Sequence, residues 1–163
     1  MKLKKLHFVI IIIVIAILSR LIPHPPNFTP ITAIALFSII NFKNKYVGLS
    51  IPIVCLLISD LIIGISLINL FVYLSFIVIS GVGYIFGKIN LKSILLSSLI
   101  FFIVTNFGVW LIGYPNTLEG FIACYVTAIP FFVWTIVGDL FYSYSAKLSL
   151  KFFQKKYISV NTN

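Results

Sequence analysis

From residue 6 to residue 143 the chain is a series of six apolar runs with short breaks between them, and no run carries more than one charged side chain. Crossing about 30 Å of hydrocarbon takes about 20 apolar residues in a helix. The alternatives fail on composition. Soluble domains carry about 25% charged residues, against 9% here, and disordered chains lack the isoleucine, leucine and phenylalanine that make this one 61% hydrophobic. The expected fold class is therefore an all-α membrane protein with six transmembrane helices in one integral membrane domain over residues 1–163. The spans are expected at about 6–22, 30–42, 46–66, 68–87, 93–113 and 120–143.

The net charge of +9 invites a nucleic-acid reading, which the placement of the lysines excludes. They fall between the apolar runs, as Lys2, Lys4 and Lys5, then Lys43 and Lys45, Lys88 and Lys92, and a final group of Lys147, Lys151, Lys155 and Lys156. A phosphate groove would gather them on one face. Short loops rich in lysine mark the cytoplasmic side, and six spans put both termini on that side. All eleven lysines then lie inside, with Arg20 alone near the outer face. The expected location is a bacterial plasma (inner) membrane, multi-pass, with membrane lipid as the first partner. The basic leader and first run also match a signal peptide, but no A-x-A cleavage site follows, so an uncleaved span is expected. Cys55 and Cys124 lie inside apolar runs without ligand spacing and read as small buried hydrophobes.

Between the first two spans stands Pro23-His24-Pro25-Pro26-Asn27-Phe28-Thr29-Pro30. Four prolines fix φ and remove amide donors, so this segment is a stiff extended cap, with Pro30 suited to the first turn of the next helix. That second span is short for a crossing and is expected to tilt, borrow flanking residues or thin the bilayer. Gly83-x-x-x-Gly87 lets two backbones approach closely; packing within the chain is favoured over a dimer seam.

An ionised side chain at mid-bilayer costs about 2.5–3.5 kcal/mol on insertion scales, so Arg20, Asp60 and Asp139 each need a reason, as does neutral Asn106. At about 1.5 Å per residue, Asp60 and Asn106 lie at similar depths below the outer ends of the third and fifth spans. Arg20 is within a turn of the outer end of the first. The shared depth predicts that the three converge on one outward-facing hollow. Trp110 lies one turn beyond Asn106 on the same helix face, Tyr114 follows it, and His24 and Asn27 hang above. The substrate-binding residues expected are thus Arg20, His24, Asn27, Asp60, Asn106, Trp110 and Tyr114. Asp139, deep in the sixth span near the cytoplasmic face, is expected to pair with an inner lysine or cap a neighbouring helix.

Each feature also has a plainer explanation. Arg20 can snorkel to headgroups, Asp60 can merely hold Arg20, and Asn106 can join helices at about 0.6–2 kcal/mol. Aromatics at this depth are ordinary interface residues. Enzyme signatures are missing: there is no H-E-x-x-H, G-x-S-x-G or glycine-rich phosphate loop. The two aspartates stand on opposite sides of the bilayer, where they cannot work as an acid/base pair. Neither enzymatic activity nor a cofactor is expected.

The strings Arg20-Leu-Ile-Pro-His-Pro-Pro-Asn-Phe-Thr-Pro30, Ser59-Asp60, Thr105-Asn106-Phe107-Gly108-Val109-Trp110 and Gly138-Asp139-Leu140 resemble a family of bacterial integral membrane proteins of unknown function. In size, span number and polar outer layer the chain is also similar to the S components of energy-coupling-factor transporters. That likeness implies an S-component-like bundle, a small-molecule solute bound in an outward cavity, and docking on a membrane coupling subunit driven by ATPases. S components carry an Ala-x-x-x-Ala docking stripe in the first span, where this chain has Ala16 alone. Two functions remain open: a solute-binding transporter subunit, and an accessory membrane protein whose polar residues only hold helices together.

Overall fold

The computed structural model describes residues 2–158, which form six helices and no strand. They are α1 (Lys2–Leu21), α2 (Ile31–Asn41), α3 (Lys45–Ile63), α4 (Ile68–Phe86), α5 (Leu91–Gly113) and α6 (Leu118–Ile158). Among the described residues, four helices, α3, α4, α5 and α6, are long and apolar enough to cross a membrane. Their outward faces carry large apolar side chains such as Leu61, Ile85, Leu70 and Val126, a surface that suits hydrocarbon and not water.

Local chemistry sets the helix ends. α1 stops just ahead of Pro23, as the residue before a proline is pushed out of the helical region. α2 starts directly after Pro30. The Asn44 side chain caps α3 by accepting from the amides of Tyr46 and Val47. α3 ends earlier than the expected residue 66 because Gly64 adopts φ 122, which other residues avoid. At the start of α5 a capping box closes: Ser93 N donates to Asn90 Oδ1 at 2.8 Å, and Asn90 N donates to Ser93 Oγ at 3.0 Å. Asn90→Ala should lower stability by about 1 kcal/mol, read as a lower thermal midpoint in detergent. α6 does not end near residue 143 but runs on to Ile158, so the residues that carry the final lysine group are helical.

α2 is the centre of the bundle. Although it has only 11 residues, it touches all five other helices, and Ile31 through Ile39 are buried. One end is fixed where Ser38 Oγ donates to Gly48 O at 2.6 Å, in the first turn of α3. Gly83 of α4 lies against Leu36 and Ile39, so close that a Cβ there would collide with the Ile39 side chain. Of the small-residue pair of α4, Gly83 packs within the chain against α2, while Gly87 forms the left-handed cap and meets no neighbour.

The other end of α2 lies inside the bundle. Thr32 lies beside Asp139 of α6, whose Oδ2 accepts from Ser98 Oγ at 2.6 Å, about 10 Å along α5 from its first residue. α2 is thus a half-length helix, and the proline-rich segment fills the space above it. Asn27, at φ 63, turns the chain, a conformation asparagine tolerates better than most residues. Phe28 then seats on α6, its ring 5.9 Å from that of Phe141 and 5.3 Å from that of Tyr142. Gly138 makes the seat possible, since a Cβ on it would stand 3.0 Å from Phe28 Cα. The irregular segment that precedes α2 is thus packed against α6.

Candidate functional site

The residues singled out by depth separate into distinct clusters. In the first, α1, α3 and α4 meet at the end of the bundle away from the lysine-bearing loops. Arg20 Nη2 lies 2.8 Å from Asp60 Oδ1, and Tyr73 Oη donates to Asp60 Oδ2 at 2.8 Å. Arg20 Nη1 donates to Ser59 Oγ and to the Leu56 carbonyl. Ser59 in turn donates within α3, to the carbonyls of Cys55 and Leu56. Both carboxylate oxygens are engaged, and the guanidinium sits flat along α3. The Asp60 side chain is 3% exposed and that of Arg20 18%. Buried charge is tolerated only with this degree of satisfaction. Chemically the cluster is a clamp that joins α1, α3 and α4.

Asn106 is not part of it. α5 touches neither α1 nor α3; α4 stands between. The expected convergence of Arg20, Asp60 and Asn106 on one hollow is therefore corrected: equal depth placed the three at one height but on different sides of α4. Depth counts residues along an axis, and the direction in which a residue points around that axis is a separate quantity.

Asn106 instead lines a cavity of about 310 Å³ between α4, α5 and α6. Its roof is Pro26 and Asn27 of the proline-rich segment. Ile68, Val72, Val109 and Ala128 line it together with Phe101, Phe102, Phe131 and Phe132, and it is partly open, with Phe131 exposed. Four polar side chains reach it: Asn27, Thr105, Asn106 and Thr135. Thr105 and Thr135 hydroxyls donate to the carbonyls four residues earlier, at 2.7 and 2.9 Å, and Asn106 Nδ2 donates to Phe102 O at 2.8 Å. A mostly apolar hollow with a few placed polar groups is the usual form of a small-molecule site. A larger cleft of about 480 Å³ lies at the α3–α4 turn. It is walled by exposed Ile65, Leu67 and Leu70; its polar residues Ser66 and Asn69 bond each other, and Tyr73, which donates to Asp60, also lines it. It has the character of a surface groove.

The remaining expected residues lie outside the cavity lining. Trp110 Nε1 donates to Pro115 O at 3.1 Å, and its ring meets Phe121 edge-on at 5.3 Å. Tyr114 Oη is 3.1 Å from Thr127 Oγ1. His24 Nδ1 lies 2.7 Å from the Ile22 carbonyl. These three brace the α5–α6 turn and the proline-rich segment. Of the seven residues expected to bind solute, Asn27 and Asn106 line the cavity, Arg20 and Asp60 form the clamp, and Trp110, Tyr114 and His24 hold loops.

Sequence reasoning missed Tyr73, Ser59, Thr105, Thr135 and the phenylalanine walls. Tyr73 carried a usable signal, standing as far into the fourth run as Asp60 stands before the end of the third. Thr105 and Thr135 carried none, because hydroxyls bonded to their own helix are common in apolar segments.

Asp139 is fully buried, with Ser98 and Thr32 as its partners. Arg20–Asp60 is the sole ion pair among the described residues, so Asp139 pairs with none of the lysines whose side chains are described; Lys147 donates to the Ile89 carbonyl at 3.3 Å. Asp139 does stand at the start of a neighbouring helix, α2, deeper in the bundle than its expected place near one membrane face. Thr135 and Phe102 lie one turn from Asp139 and Ser98 respectively, which puts this pair just below the cavity floor.

No curated protein and no solved structure matches the chain. A family model does, over residues 1–160, taking in the clamp, the proline-rich segment and every residue that lines the cavity. On that match the chain belongs to DUF6580, a family of unknown function.

Proposed function

We propose that this chain is a non-enzymatic, small-solute-binding subunit of a membrane transporter, with the solute held in the α4–α5–α6 cavity. The observation that carries the reading is that cavity: about 310 Å³, roofed by a proline-stiffened segment and lined by Asn27 and Asn106. In this reading all six helices cross a bacterial plasma membrane in one domain, with both termini and the lysine loops in the cytoplasm, so the cavity lies in the outer half. Arg20 and Asp60 do not touch the solute; their clamp favours, for those two residues, the helix-holding role of the accessory-protein alternative. The chain has no phosphate-binding loop, so uptake driven by ATP would need a membrane coupling subunit with its own ATPases. The shape of the bundle, with its half-length central helix, would then serve as an S-component-like binding unit.

The test is mass spectrometry of small molecules retained by protein purified in mild detergent. The wild type is expected to hold a compound that Ala128→Phe, which fills the cavity, does not. Asn106→Ala should lower its retention about tenfold, in keeping with the loss of one hydrogen bond, while the protein inserts and elutes normally. Identical small-molecule content in wild type and Ala128→Phe would rule out the cavity as a site.

A further inference from the structure

No cationic side chain among the described residues meets the carboxyl of Asp139, although the residue is only 1% exposed. α6 packs on two other helices, α2 and α5. α2 carries no titratable side chain, and α5 carries only Lys92, exposed and six residues before Ser98. On α6 the nearest titratable groups are Tyr142, whose ring lies against Phe28, and Lys147, bound to the Ile89 carbonyl. In the proline-rich segment His24 is held by the Ile22 carbonyl. An ionisable residue inside a membrane bundle without a counter-charge asks for a role. We infer that Asp139 is an exchangeable proton-binding site whose proton comes and goes through the adjoining cavity. The site stands whether or not that cavity also holds a solute.

The surroundings serve both forms of the carboxyl. Ser98 Oγ lies within bonding distance of two acceptors, the Ile94 carbonyl at 3.1 Å and Asp139 Oδ2 at 2.6 Å, yet a hydroxyl has one hydrogen to give. With a proton on Asp139, the carboxyl O–H donates to Ser98 Oγ and Ser98 donates to Ile94 O, so every group is satisfied without a cation. With the proton gone, Ser98 turns its hydrogen to Oδ2. The ionised form has further support. Thr32 lies beside it in the first turn of α2, where the positive end of the helix favours an anion. Ser143, one turn along the same face of α6, is fully buried, and its hydroxyl has no partner among the described residues. Its hydrogen is therefore available to the carboxylate. On the other side, Thr135 is one turn before Asp139 and lines the partly open cavity. On release the carboxyl O–H bond breaks, the electron pair stays on oxygen, and the proton passes to solvent water entering the cavity.

Infrared spectroscopy of the purified full chain in detergent reads this site, because the acidic side chains are only Asp60, Glu119 and Asp139. Aspartate labelled with heavy carbon at the side-chain carboxyl separates the two aspartates from Glu119. The expected spectrum has a protonated-carboxyl band that shifts with the label, fades reversibly as the pH is raised, and is absent from Asp139→Asn. Ser98→Ala should move its frequency, which assigns the band should Asp139→Asn fail to fold. In heavy water the band should shift as the proton exchanges, several-fold more slowly in Ala128→Phe, which fills the cavity. Thr135→Val, nearly isosteric, should also slow the exchange and supplies the comparison should Ala128→Phe fail to fold. Labelled aspartate that is ionised at every pH at which the protein stays folded would overturn the inference. So would a protonated band that neither titrates nor exchanges, or an exchange rate equal in wild type and the cavity variants.

Discussion

Replacing Arg20 with leucine should destabilise the protein by about 3–5 kcal/mol, the usual cost of stranding one member of a buried ion pair. Asp60 is 3% exposed at its side chain and Tyr73 is its other partner, so without the guanidinium the carboxylate has no cation and no route to water. The reverse substitution is milder. Arg20 is 18% exposed at its side chain, and its long stem can carry the guanidinium to the nearest polar interface once Asp60 is gone. Asp60→Leu should therefore cost only about 1–2 kcal/mol, mostly the hydrogen bonds lost by Tyr73 and Arg20. Changing both residues to leucine should recover much of the loss, because a buried pair exchanged for apolar groups is often close to neutral. Thermal unfolding of the three variants in one detergent decides the matter. Equal single costs that add in the double variant would mean the clamp carries no coupling.

The second large effect is expected at Gly138. A leucine there would drive its side chain into the backbone of Phe28, since even a Cβ would lie 3.0 Å from Phe28 Cα. Either α6 or the proline-rich segment must then move. Four prolines leave the segment little room to adjust, so Phe28 should lift from Phe141 and Tyr142 as a unit. Overpacking of this kind costs about 1–3 kcal/mol, and the loss of the aromatic contacts adds about 0.5–1.5 kcal/mol. Pro26 and Asn27 form the cavity roof and adjoin Phe28, so the same substitution should raise the reactivity of an Asn27→Cys thiol toward maleimide several-fold. The native cysteines, both buried, provide the slow background. Unchanged stability and unchanged labelling would show that the segment is not seated on α6.

The sequence made heights readable but left directions hidden. Apolar runs and lysine breaks located all six helices, and Pro30 marked the start of one of them. Counting residues placed Arg20 and Asp60 at the same level, where they meet. The same count put Asn106 at that level too, yet it faces a different hollow. A helix apolar on every side has no polar stripe to show which way it turns, so only packing reveals that α4 stands between. The half-length of α2 was visible as a run too short to cross. Its cause lies in the contacts of Phe28 with Gly138 and of Thr32 with Asp139, which join residues over a hundred positions apart. The extension of α6 did leave a trace: Lys147, Lys151 and Lys155 recur at four-residue intervals, a helical period in what read as a tail.

The order in which a ribosome delivers the chain gives those long-range contacts a further meaning. Phe28 and Thr32 emerge early, while their partners on α6 are made last. Until then the shortest helix and the turn before it have no finished berth, and backbone amides without partners are poorly tolerated among acyl chains. The segment is therefore expected to settle into its final place only once the last helix has been made.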